Sequence, residues 1–144
     1  MIATFGLRPH EVFFCEFPNP NDPYCVDVLN GKTGYHRTRA IHPEWADKWN
    51  LSDVKKPSVT GKTFRVYGQR VTRQFSRYKV PFHPYDRHAF AIRASVVKGL
   101  PDSTAAAFMG HSPTVRKATY HRWLSNSVND AVYQKIILDQ REDV

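Results

Sequence analysis

The stretch YCVDVLNGKTGYHRTRAI, from Tyr24 to Ile41, constrains the fold of this chain more than any other. An extended run from Tyr24 to Leu29 leads into Asn30-Gly31-Lys32-Thr33-Gly34, a cluster of turn residues, and a second extended run returns from Tyr35 to Ile41. Two strands joined this closely must pair antiparallel, because a parallel pair needs a crossover of a dozen residues or more. Lys32 rides on the turn.

The remaining segments read as helices. Pro9 suits the first turn of a short helix from Arg8 to about Phe17, since a first-turn N–H has no partner to lose. Pro43 opens another through Trp49, and Leu51 to Pro57 reads as a polar linker. From Lys62 to Lys79, Phe64, Tyr67, Val71, Phe75 and Tyr78 recur at helical spacing, with Lys62, Arg70, Arg73 and Arg77 on roughly the opposite side. Asp86 is placed to cap a helix running through Phe90, Ala94 and Val97 to Lys98, and Asp102 or Ser103 to cap one reaching Met109. Ser112-Pro113 starts a helix that carries Tyr120, and Ser127 to Gln140 forms a last amphipathic helix on Val128, Ala131, Val132, Ile136 and Ile137. The expected class is α+β, mainly α-helical with one small antiparallel β-sheet.

At 144 residues, with 41% hydrophobic and 13% aromatic side chains, the chain suits one domain with a modest core. Lys and Arg number 21 against 13 Asp and Glu, a net +8 that favours an anionic partner such as nucleic acid. Arg70, Arg73 and Arg77 are the candidates for lying along phosphates; a merely solvated basic face has the same pattern. Cys15 and Cys25 fit neither a disulfide framework nor a metal motif and read as buried thiols. No apolar run approaches the ~20 residues of a membrane span. A cytoplasmic, nucleoid-associated protein is expected.

Five motifs in this order carry a resemblance: FGLRPHE (Phe5 to Glu11), GKTG (Gly31 to Gly34), RHAFAIR (Arg87 to Arg93), MGH (Met109 to His111) and Tyr120. Together they resemble the catalytic domain of tyrosine recombinases and phage integrases, from the first residues to at least Trp123. The resemblance implies a DNA breaking-rejoining core that cuts duplex strands through a 3′-phosphotyrosyl link and reseals them, with neither metal nor ATP. It also implies that residues 1–144 are that domain, without its first helix and without an N-terminal DNA-clamping domain, because IATFGLRPHEVF opens as though midway through a helical hairpin.

Elementary chemistry is consistent with these roles. In-line attack concentrates negative charge on a phosphodiester, so a site without metal must surround phosphorus with fixed cations and donors. Arg8 and Arg87 are the expected pair, since guanidinium forks bind two phosphate oxygens and stay charged. Taken alone, Arg8 has an ordinary use in a salt bridge to Glu11. The resemblance makes Lys32 the general acid for the leaving 5′ oxygen, His111 a donor to a non-bridging oxygen, and Tyr120 the nucleophile, with Lys117 nearby to hold DNA. Tyr133, Tyr78 and Tyr67 fall instead at core-like spacing on their helices.

One position departs from the family. The histidine, or its tyrosine or lysine substitute, that belongs three residues before the second arginine is Pro84 here; Tyr85 is the expected stand-in and His83 the next. Two alternatives stay open: a non-catalytic DNA-binding module, and a topoisomerase-like strand transferase acting as a monomer. The last helix is expected to join protomers into a synaptic assembly on DNA, although its stripe also suits packing within one chain.

Overall fold

The computed structural model describes residues 1–32, 34–84 and 87–110, and beyond them Asp130, Tyr133 and Ile137. The expected class holds: five α-helices surround a single three-stranded antiparallel sheet among these residues. The helices are α1 (Ile2–Phe5), α2 (Pro43–Lys48), α3 (Phe64–Arg77), α4 (Arg87–Ile92) and α5 (Asp102–Phe108). The strands are β1 (Cys15–Glu16), β2 (Cys25–Gly31) and β3 (Gly34–Arg39), in the order β1-β2-β3.

The first departure from expectation lies between Arg8 and Phe17. The helix there is only a 3-10 turn, Pro9–Phe13, after which Cys15 and Glu16 pair with Val28 and Asp27 of β2. A free edge of β2 offers backbone partners that a longer helix would leave unused. With β1 added, β2 becomes the central strand, and Cys25, Val26, Asp27 and Val28 are all buried. Asp27 tolerates this because Arg37 on β3 clamps it, Nε to Oδ1 at 2.6 Å and Nη2 to Oδ2 at 3.0 Å. That fork holds the carboxyl below its usual range.

On β3 the period of two is clean: His36 and Thr38 turn inward while Tyr35, Arg37 and Arg39 face out. Thr38 donates its hydroxyl to the Phe5 carbonyl at 2.7 Å, fastening the sheet to α1. The core lies on this side, around Phe5, Leu7, Val26 and Val28, and Leu51 joins it from just beyond α2. Leu51 therefore belongs to the core, in a short 3-10 turn rather than in a polar linker. A second cluster joins Ile41 to Phe90, Ala91 and Ala94 of the α4 region, to Ala105 of α5 and to Met109 at the C-cap of α5. Both cysteines are buried free thiols, as expected.

α3 starts where Thr63 accepts a bond from the Val66 N–H, and it packs against the Pro9–Phe13 turn through Phe64 and Tyr67. Tyr78 does not pack: it caps the helix and is 71% exposed, and Tyr133 is exposed as well. α4 continues into a π-helical turn, Arg93–Val97, leaving Val97 exposed rather than buried. α5 has Pro101 at its N-cap and no side-chain cap, so neither Asp102 nor Ser103 plays that part. Between α1, α2 and α3 runs an apolar groove of about 770 Å³ lined by Trp45, Trp49, Val71, Phe75 and Phe82. No helix among the described residues is long and apolar enough to cross a membrane.

Candidate active site

Arg8 stands at the junction between α1 and the 3-10 turn, where the chain reverses through Gly6. Gly6 adopts φ 68°, and a Cβ on it would lie 2.7 Å from the Phe90 ring, so only glycine lets α1 lie this close to α4. Three residues beyond Arg8, Glu11 is wholly buried and faces back. It accepts the Arg8 backbone N–H at 2.7 Å and the Arg8 Nη1 at 2.9 Å. Burial of a carboxylate is tolerable only with such partners. The salt bridge that the sequence offered as the ordinary use of Arg8 does form, and its two bonds fix where the Arg8 backbone and guanidinium lie.

Arg87, the first residue of α4, reaches the same place from the other side. Its Nε donates to the Gly6 carbonyl at 3.0 Å and its Nη2 to the Met109 carbonyl. The two arginines are thereby drawn to one frame, since the carbonyl that fixes Arg87 lies two residues before Arg8. Met109 ends α5, so the chain running toward His111 is tied to Arg87 as well.

Lys32 arrives on the hairpin. Gly31 pairs with Gly34, and the register slips between Val28 and Gly31, one extra residue lying on β2. Such an irregularity bends the strand that carries it. Gly31 lands against the buried carboxylate: a Cβ there would lie 3.0 Å from Glu11 Oε1. Lys32 itself is exposed.

Two buried histidines report the field of this cluster. His10, stacked on Phe64 at 4.3 Å, has its imidazole pKa lowered by burial, opposed by Glu11 and assisted by Arg8, Arg87 and Lys32. His36 is lowered too, by burial first, with Glu11 and the Gly34 backbone opposing and Arg8 and Arg87 assisting. Burial, and after it the surrounding cations, disfavour the protonated form of both rings.

Arg8, Lys32 and Arg87 are therefore brought together. Tyr85, His111, Lys117 and Tyr120 lie outside the described residues, and His83 is exposed on the rim of the apolar groove. Arg70, Arg73 and Arg77 lie exposed along α3 and are not among the charges felt by either histidine. Arg70 donates to the Thr60 carbonyl at 3.0 Å, and Arg77 lies over the Tyr78 ring. Glu11 and His36 are the residues that sequence reasoning undervalued. For Glu11 the signal was a carboxylate one turn after Arg8 and just before an apolar run; for His36 it was an inward position in the β3 alternation.

Comparison with known proteins sets relatives beside this geometry. The chain is 31% identical to Excisase A and 30% identical to Excisase C, both of Nostoc sp. (strain PCC 7120), over 99% of its own length. It spans about a third of each relative, 34% and 33%. No family model matches the chain, and no solved structure matches it.

Proposed function

We propose that this chain is the catalytic domain, over residues 1–144, of a site-specific tyrosine recombinase or integrase acting on double-stranded DNA. DNA excision, a recombination event, is the role to which the names of both relatives point. The observation that carries the finer reading is the convergence of Arg8 and Arg87 on one frame, with the Lys32 turn seated over the same buried carboxylate.

In this reading the two guanidinium groups hold the non-bridging oxygens of the scissile phosphate, helped by His111 and Tyr85. The Tyr120 oxygen attacks phosphorus and loses its proton; the bond from phosphorus to the 5′ oxygen breaks, and Lys32 gives that oxygen a proton. The phosphotyrosyl bond conserves the energy of the broken ester, so a 5′ hydroxyl reverses the step without ATP. Arg70, Arg73, Arg77 and Lys117 hold the backbone on either side, and the helix from Ser127 to Gln140 joins protomers on DNA. The working compartment is the cytoplasm, on nucleoid DNA.

Incubation with a library of nicked suicide duplexes tests this reading. A detergent-resistant protein–DNA adduct is expected, with the attached peptide containing Tyr120 and no adduct from Tyr120→Phe. A second reading draws on the neutralisation of Arg8 by Glu11: a DNA-binding module that has given up cleavage. Salt-dependent DNA binding without any adduct selects it.

A further inference from the structure

We propose that His36 is a positioning residue of this site: its imidazole is the surface against which the Gly110 turn, and so the start of the chain leading to His111, is set. The inference rests on the reading above, in which His111 belongs to the phosphate site.

Three observations carry it. The first is contact. Gly110 adopts φ 69°, and a Cβ built on it would lie 2.8 Å from both Cε1 and Nδ1 of His36. The backbone lies against the ring, an approach open to glycine alone. The second is that the same turn is held by another part of the site. Arg87, half of the phosphate clamp, bonds to the Met109 carbonyl, one residue before Gly110. The turn is thus set between a clamp residue and His36.

The third is that His36 is polar where an apolar ring would fill the space. The residue is 9% exposed, and among the described residues neither Nδ1 nor Nε2 has a well-aligned hydrogen-bond partner. The Gly34 backbone approaches the ring without meeting good hydrogen-bond geometry, and a buried polar atom left so poorly paired is destabilising. Such a cost at a site of close approach marks a ring retained for its chemistry rather than its volume. The charged groups that face it are Glu11 and Arg8 from the 3-10 turn and its N-cap, and Arg87 from α4, while the Gly34 backbone lies beside it on β3. A protonated ring is repelled by both guanidiniums and attracted by Glu11, and burial disfavours it further. Because Gly110 lies against the ring, its amide is placed to sense a proton on His36.

The test uses the full 144-residue chain with ¹⁵N-labelled glycine, whose seven amide signals are few enough to follow individually. Gly110 is assigned as the signal missing from Gly110→Ala. On acidification from pH 8 to pH 5 the Gly110 amide should titrate with a midpoint below the ordinary imidazole value. The titration should be clearly reduced in His36→Phe and in His36→Asn, the second variant covering any failure of the first to fold. Placement of the amide at high pH should return closer to wild type in His36→Asn, which keeps a polar atom near Nδ1. A Gly110 signal that does not titrate in the wild type, or that titrates to the same extent in His36→Asn as in the wild type, overturns the proposal.

Adduct formation on the suicide duplexes separates this from the reading it rests on. His36→Asn should slow adduct formation by about tenfold or more at saturating DNA, with DNA affinity unchanged, as misplacement of a catalytic group does. A wild-type chain whose Gly110 titrates through His36 but which forms no adduct upholds the contact and overturns the recombinase reading.

Discussion

Arg8 and Arg87 sit between the sheet and α4, each fastened through more than one bond or to more than one element. Arg70, Arg73 and Arg77 sit along α3, exposed, with no comparable frame. In the first region a buried carboxylate, a glycine carbonyl and the end of α5 fix where each guanidinium points. In the second, long side chains reach into solvent and supply a field rather than a geometry. The two regions carry the same residue type and do different work, because immobilised charge can meet a transition state while solvated charge can only attract.

The contrast breaks most severely at Glu11. Glu11→Ala leaves Arg8 without its buried partner and is expected to cost about 3–5 kcal/mol in urea unfolding; a loss under about 1 kcal/mol, the worth of an exposed pair, would mean the two regions are held alike. Gly6→Ala comes next. Its φ of 68° and the Phe90 ring 2.7 Å from the added Cβ predict a loss of about 1–3 kcal/mol. Gly34→Ala, at φ 91° with open space around it, should cost only the backbone strain, roughly 1 kcal/mol. Thermal unfolding of the two variants side by side measures the difference.

Acidification sharpens the contrast further. His10 and His36 have folded pKa values below their ordinary one, so in the acid range the unfolded chain binds more protons than the folded chain. Their contribution is complete above the ordinary imidazole value of 6.5 and is lost as pH falls below it and through the lower folded values, with a slope of up to about 1.4 kcal/mol per pH unit for each ring. Chemical unfolding at pH 8, 7, 6 and 5 reads that slope, and it should shrink in His36→Asn. The smallest effect on stability belongs to α3: replacing Arg70, Arg73 and Arg77 by Gln should shift it by under about 0.5 kcal/mol per residue. The same variant should flatten the dependence of log affinity for duplex DNA on log salt, by about 0.9 in slope for each phosphate that these side chains neutralise. An unchanged slope would remove these residues from the DNA surface.

Much of the fold was legible in sequence because local chemistry decides it. The hairpin around Lys32, the opening of α2 at Pro43 and the long stretch of α3 all follow from turn residues, proline and apolar spacing. β1 was not legible. Two residues, Cys15 and Glu16, are a strand only because the edge of β2 was there to receive them. Tyr78 shows the converse: it continues the apolar spacing of α3, yet it faces solvent. In the candidate site, Arg8, Lys32 and Arg87 were legible as types at intervals, whereas Glu11 and His36 take on their importance from what lies against them.

The sequence by itself determined which cations this chain has, which of them sit at turns and helix starts, and that a small antiparallel sheet must exist, since these follow from backbone preference over a few neighbouring residues. Tertiary structure alone decided that a carbonyl at Gly6 and the turn at Met109 should meet around Arg87, beside the local pair of Arg8 and Glu11. Arg87 lies 81 positions from Gly6, and no local preference spans such a distance. Packing closes that gap, because burial leaves each polar group to find its partner wherever the chain happens to pass.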